Sequence, residues 1–278
     1  MSSRIIQSIA TPATEPAAKP SSGPAWGSPG SGLAGDELVW PHGDRDSDEP
    51  PLESSLHLQQ MLLLLKCLDW LWRDRSDYFS AGNLTVYYSP RQLKSEDFRG
   101  PDFFIVLDSD PRPRKSWVVW EEGGKYPNLI IELLSDSTAA TDRGLKKQIY
   151  QDIFRTPDYF WFDPQTLEFA GFHLVDGTYR PLEPNPQGRL WSQQLGLFLG
   201  LYPALSPGLS PDLAPDTESQ TLRFFTAEGD LVPTPEEAAL AAQQATEAER
   251  QRADAEQRHN QVLLAQLRAL GVEPQAGP

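Results

Sequence analysis

The chain has 278 residues, which suits one domain with appendages or two small domains, and it carries a formal net charge of −15. Its hydrophobic content of 39% is below the roughly 45–50% of ordinary globular domains. The shortfall, to which 26 prolines contribute, falls at both ends and predicts one core domain between two weakly folded ends. The acidity counts against a nucleic-acid partner, the single cysteine excludes an intrachain disulfide and a zinc cluster, and no apolar run approaches the roughly 18 residues of a membrane span. Cys67 lies in a leucine-rich run and reads as a small buried apolar residue, consistent with a reducing cytoplasm. The N-terminus has no continuous apolar stretch of the secretory type, so a cytoplasmic location is expected.

Residues 1–50 are rich in Pro, Ser, Gly and Ala without periodicity and are expected to be a disordered arm. From Glu53 to Trp72 a helix is predicted, with Leu56, Gln60, Leu63, Leu64, Cys67, Leu68, Leu71 and Trp72 on its apolar stripe. Asp74 to Ser80 are expected to turn the chain, and Leu84–Tyr88 to form a strand. After a polar link comes a strand over Phe103–Leu107, then the basic, proline-stiffened stretch Asp110–Lys115 and a short extended piece at Trp117–Trp120. Leu129–Leu134 is the most apolar strand and is expected to be central. Ser137 or Thr138 would cap a helix reaching Phe154. Tyr159–Phe162 reads as a strand, and Phe169–Val175 with Tyr179–Leu182 as a hairpin turning at Asp176-Gly177. Further short strands and a proline-rich loop occupy 183–233, and Thr234-Pro235 opens a long Ala/Glu/Gln helix. In that helix Ala241, Ala248, Ala255, Val262 and Ala269 recur every seven residues against a mostly polar second seam. Such a heptad suits a docked or marginally dimeric helix better than a strong coiled coil. The predicted domains are therefore a 1–50 arm, a 51–233 core and a 234–278 helical tail.

Two apolar strands each carry one carboxylate: Asp102 ahead of Phe103-Phe104-Ile105-Val106, and Glu132 within Ile130-Ile131-Glu132-Leu133-Leu134. A carboxylate among such side chains is expensive to bury unless something pairs with it. Placed on neighbouring strands, the two would converge at one end of a small mixed sheet. The following helix would return Asp142, Lys146 and Tyr150, spaced by four, on one face over that end. Paired carboxylates with a lysine suit Mg2+, which takes one or two carboxylates and keeps water and phosphate as its other ligands. The inventory matches metal-assisted phosphodiester cleavage. Between Arg91 and Lys147 ten basic residues balance ten acidic ones, so the charge objection is weaker there than the whole-chain value suggests.

The pattern Pro101-Asp102, Glu132-Leu-Leu-Ser135-x-Ser137-Thr138, Asp142-x-x-x-Lys146-x-x-x-Tyr150 and Tyr159-Phe-Trp-Phe-Asp163-Pro164 resembles the Uma-type family of putative restriction endonucleases, within the PD-(D/E)xK nuclease superfamily. The resemblance spans Leu52 to Leu199. It implies an α/β, restriction-endonuclease-like core with a small mixed sheet flanked by helices. It also implies a Mg2+- or Mn2+-dependent endonuclease acting on DNA. Asp102, Glu132 and the Leu133 carbonyl are implied as metal ligands. Lys146 would be the catalytic lysine, moved from strand to helix because Leu134 stands at the usual strand position; Lys147 is the alternative if the register differs by one. Glu53 matches an acidic position that approaches the same site. Arg112, Arg114 and Lys115 are candidate phosphate contacts, with a solvated basic loop as the equal alternative.

Structural alternatives stand beside these roles. Asp102 could cap a turn after Pro101, Glu132 could form a structural ion pair with Lys146, Asp142 could be a helix-face charge, and Glu53 an ordinary first-turn acid. His57 and His173 are read as lone histidines without a ligand role, and Trp161 as core. A non-catalytic nuclease-fold module binding nucleic acid or protein is the alternative function, favoured by the net charge and by Leu134. A homodimer through the tail is a further possibility, and no membrane partner is expected.

Overall fold

The computed structural model describes residues 54–89, 98–135, 139–204 and 220–271. The expected arm, Glu53 and the expected Ser137 or Thr138 cap lie outside them. Helix α1 (Ser55–Leu71) starts at an N-cap where the Ser54 side chain accepts from the His57 amide. Its buried face is His57, Gln60, Met61, Leu64, Cys67 and Leu68. The stripe is thus rotated from the predicted one, with Leu56, Leu63 and Leu71 only partly covered. Next come β1 (Tyr78–Gly82), β2 (Val86–Tyr87), β3 (Phe98–Arg99), β4 (Phe103–Leu107), β5 (Trp117–Val118) and β6 (Leu129–Leu133).

The helical crossover after β6 comprises α2 (Ala139–Thr141), a π-wound segment Asp142–Lys146, α3 (Lys147–Ile149) and a second π-wound segment Tyr150–Phe154. It leads to β7 (Asp158–Phe162) and the hairpin β8 (Phe169–Val175) and β9 (Thr178–Pro181), joined as expected by Asp176-Gly177. Then follow β10 (Leu190–Ser192), β11 (Leu197–Pro203), β12 (Gln220–Phe225) and α4 (Pro235–Ala269).

The main sheet has the order β1-β4-β6-β7-β8-β9. Only β6 and β7 are parallel, as a helical crossover requires; the other neighbours are antiparallel. Strand β1 corrects the expected turn at Asp74–Ser80. Its sequence, Tyr-Phe-Ser-Ala-Gly, has no strong alternation, and it is extended because it pairs residue for residue with β4, from Tyr78↔Leu107 to Gly82↔Phe103.

Alternation along the central strands builds two cores. One face of β4, β6 and β7 (Phe103, Ile105, Leu129, Ile131, Leu133, Phe160, Phe162) packs on α1 and on a second sheet, β10-β11-β12. The opposite face (Phe104, Val106, Ile130, Tyr159, Trp161) packs on Ile149, Tyr150 and Phe154 of the crossover and on Val86 and Trp117 of a third small sheet, β3-β2-β5. Every residue of β6 and β7 is buried, which fits near-continuous apolar runs at the sheet centre.

Two polar side chains lock these layers. Gln60 of α1 donates to the Leu222 carbonyl and accepts from the Leu222 amide, so its amide group serves as a ladder partner for β12. Buried Asp158 accepts from Ser192 Oγ and the Gln194 amide and sits 2.7 Å from His173 Nδ1, tying the main sheet to β10. Helix α4 begins with a capping box between Thr234 and Glu237 and is anchored by Arg223–Glu237 and Lys66–Glu236 pairs. From Ala239 to its end at Ala269 it is exposed.

Candidate active site

At the Asp102 end of β4 the sheet comes apart in a defined way. Strand β4 pairs with β6 only as far as Phe103↔Ile131, while β6 runs on to Leu133 beside β7. The Leu134 amide bonds to the Phe162 carbonyl of β7, so by strand alternation the Leu133 amide and carbonyl face the side that β4 has vacated. Side chains take over there. Asp102 Oδ2 accepts from the Leu133 amide at 2.7 Å, and His57 Nε2, from α1, reaches the Leu133 carbonyl at 3.0 Å.

The adjoining residue, Glu132, points to the opposite face of the sheet and is completely buried. Its Oε1 accepts from Tyr150 Oη at 2.7 Å, and its Oε2 accepts from Lys146 Nζ at 3.2 Å and from the Asp102 amide at 3.3 Å. Lys146 Nζ also lies 2.9 Å from Oδ1 of Asp142, which is likewise fully buried. The expected sharing of one helix face by Asp142, Lys146 and Tyr150 is therefore what the crossover presents, although it is π-wound at Asp142–Lys146 and again from Tyr150. Such segments are frequent where a helix carries a functional site. Tyr159 supports this turn by donating to the Asp142 carbonyl at 2.9 Å.

Glu132 and Asp142 thus share one ammonium, with Asp102 near enough to interact with it through space, and carboxylates outnumber the cation in the site. Burial pushes Glu132 up from 4.5 to about 7; Lys146 pulls it down and Asp102 pushes it further up. Burial also raises Asp102, against the pull of Lys146. Lys146 responds in the opposite sense: Glu132, Asp142 and Asp102 raise it despite a burial cost that lowers it, so it stays an ammonium. Tyr150 is held well above its usual range by burial and by Glu132, so its hydroxyl remains a donor.

The structure distinguishes the two lysines. Lys147 turns away and places its ammonium 3.4 Å from the Phe172 ring centroid and 5.2 Å from that of Trp161. The basic loop does not converge on the site. It follows β4, whereas Asp102 precedes that strand, so a five-residue strand, roughly 17 Å long, separates them. Arg114 departs from the expectation of a phosphate contact. Its side chain is only 3% exposed, bonded to Glu122 and Asp110 and lying over Phe79 and Trp117. Arg112 pairs with Glu122 and Asp110 at the surface, and Lys115 is exposed.

In the sequence His57 has no assigned partner and Asp142 reads as a helix-face charge, whereas the structure bonds His57 to Leu133 and Asp142 to Lys146. The first has no local signature, since only the end of β6 packed against α1 gives it a partner. For Asp142 a signal existed in its spacing of four from Lys146. Among the described residues no group of three or more His, Cys, Asp or Glu side chains is placed to hold a metal ion. The set at hand is the two carboxylates Asp102 and Glu132 with the Leu133 carbonyl. No helix among the described residues is long and apolar enough to cross a membrane.

A mixed α/β domain with a carboxylate–lysine cluster at the frayed end of its central strands is the class that fold and site define. Residues 47–206 match the model of the Uma2 family, described as "Putative restriction endonuclease", and the chain belongs to that family. An uncharacterized protein of Synechocystis sp., slr1290, is 31% identical over 106 residues, 38% of this chain. The match spans about half, 53%, of that relative's length. A crystal structure titled as a putative nuclease belonging to DUF820 from Anabaena variabilis overlaps 52% of this chain and 76% of its own, at 10% identity and a TM-score of 0.40.

Proposed function

We propose that the protein is a divalent-metal-dependent endonuclease that hydrolyses phosphodiester bonds in DNA. The observation that carries this is the buried cluster itself: Glu132 and Asp142 on a single Lys146 with Asp102 beside them, two of the carboxylates being raised mainly by burial. A hard dication fits that donor set. Mg2+ takes one or two carboxylates and completes its shell with water and phosphate, so a third ligating side chain is not required. Asp102, Glu132 and the Leu133 carbonyl would hold the ion, and Mn2+ would suit the same oxygens. When bound, the ion would supply Lewis acidity and a water of lowered pKa.

The chain's own groups have separable tasks in this reading. Tyr150 and the Asp102 amide fix the Glu132 carboxylate from two sides. Asp142 holds the Lys146 ammonium over Glu132, where it would orient the attacking water and offset charge building on the phosphate. Arg112 and Lys115 remain candidates for contacts to DNA phosphates beyond the scissile one; Glu53 remains an acidic candidate near the same site. A tail-mediated homodimer would bring two such sites together. The alternative is a binding module without catalysis, favoured by the net charge of −15 and by Leu134 at the usual lysine position.

Supercoiled plasmid incubated with Mg2+ or Mn2+ separates the two. Nicking by the wild type that Glu132→Gln and Lys146→Ala both abolish is the expected result. No cleavage, or cleavage that survives both substitutions, refutes the proposal and leaves a binding module.

A further inference from the structure

His57 was the residue with the least to say in the sequence, and it occupies a specific place in the structure. It is 6% exposed on the buried face of α1. Its Nε2 lies 3.0 Å from the Leu133 carbonyl and its Nδ1 lies 2.8 Å from Ser54 Oγ, at the cap of its own helix. A carbonyl can only accept, so Nε2 carries a proton and donates it to Leu133. The Ser54 hydroxyl meets the other nitrogen and fixes the ring plane.

The partner explains why a histidine is there. Beyond Ile131, β6 has no β4 beside it, and the Leu133 amide and carbonyl would otherwise be left without ladder partners at a buried strand end. Such groups are nearly always paired in folded chains. Asp102 takes the amide and His57 takes the carbonyl. The backbone of Leu133 is thereby clamped from two sides, by the residue just before β4 and by α1, at the residue that follows Glu132. Helix α1 is itself held in register by Gln60 against Leu222, which places His57 at a fixed height along the sheet.

We propose that His57 is a positioning residue of the metal site, holding the Leu133 carbonyl where it serves as the third oxygen ligand. This rests on the proposed function, because it concerns the oxygen set that would hold the ion. A carbonyl oxygen has two lone pairs, so a bond from His57 leaves one for a cation. Groups that hold a metal ligand in this indirect way typically change metal affinity by about 10–100-fold when removed. The hydrogen bonds of His57 go to Ser54 and Leu133 rather than to Glu132 or Lys146, so its role is to position and not to move a proton.

Mn2+ binding to the full chain, followed by calorimetry and by water-proton relaxation, tests it without reference to cleavage. Four proteins are needed: wild type, His57→Leu, His57→Gln and Glu132→Gln, each checked for folding by its thermal transition. The expected pattern is loss of binding in Glu132→Gln, affinity reduced about 10–100-fold in folded His57→Leu, and near-wild-type affinity in His57→Gln, whose amide can donate over a similar reach. A purely structural role would lower thermal stability in both His57 variants without separating them in affinity. Folded His57→Leu that binds Mn2+ like the wild type overturns the inference while Glu132 dependence leaves the metal site standing. Wild type that binds no Mn2+, or binding that persists in Glu132→Gln, overturns the site and the role of His57 together.

Discussion

Glu132 makes the metal-free protein sensitive to pH in a direction opposite to ordinary acid denaturation. Burial lifts its carboxyl from 4.5 to about 7 in the folded chain. Between those values the folded chain binds more protons than the unfolded one, so stability falls as pH rises. The contribution is fully present below about pH 4.5 and is lost as pH passes through about 7. One unit is about 1.4 kcal/mol, so the shift is worth about 3 kcal/mol, a large part of the roughly 5–15 kcal/mol that holds a domain folded. Asp102, also raised, acts in the same sense. Glu122 and Glu237 are lowered, by Arg114 and Arg223 respectively, despite burial. They lose their stabilisation below the ordinary carboxylate range, so about pH 5 is a clean lower limit. The assay is urea unfolding with EDTA at about pH 5 and about pH 8, for wild type and Glu132→Gln. Wild type should be less stable at the higher pH by up to about 3 kcal/mol, and the difference should shrink in Glu132→Gln. Added Mg2+ should restore stability to the wild type at about pH 8, because an ion that binds only the folded chain stabilises it. Wild-type stability that is flat or rises over this range, or an equal fall in Glu132→Gln, would refute the burial-raised carboxyl of Glu132.

Two further substitutions test the frame around the site. Arg114→Leu removes a 3%-exposed guanidinium from Glu122 and should destabilise the chain by about 3 kcal/mol; unchanged urea stability with weakened DNA binding would return Arg114 to the phosphate-contact role. Gly171→Ala would set a Cβ 2.5 Å from two ring carbons of Phe160, beside β7. It should lower stability by about 1–3 kcal/mol, and a thermal transition equal to wild type would show that the ring can give way.

Much of the frame was legible because local pattern and tertiary demand agree. β4, β6, β7 and the β8–β9 hairpin lie within a residue of their apolar runs and of Asp176-Gly177, since central strands need continuous apolar sequence and hairpins need turn residues. The start of α4 was marked by Thr234-Pro235, which forms the cap expected of it. β1 was not legible, because Tyr78–Gly82 is extended only through its pairing with β4. Nor was the face of α1: so many leucines allow several apolar stripes, and the choice fell to His57 and Met61 through their neighbours.

The sequence by itself determined that one carboxylate stands ahead of one apolar run and another within a second, and that Asp142, Lys146 and Tyr150 recur at helical spacing. Period and burial cost are properties of the chain alone, and they limit where such residues can go. Only the tertiary structure decided that Lys146 rather than Lys147 faces Glu132, that the basic loop stands at the far end of β4, and that His57 meets Leu133. Each of those depends on where one element ends against another. The last ladder bond between β4 and β6 sets it for His57, and the π-winding of the crossover sets it for Lys146. Neither leaves a periodic trace in the residues themselves.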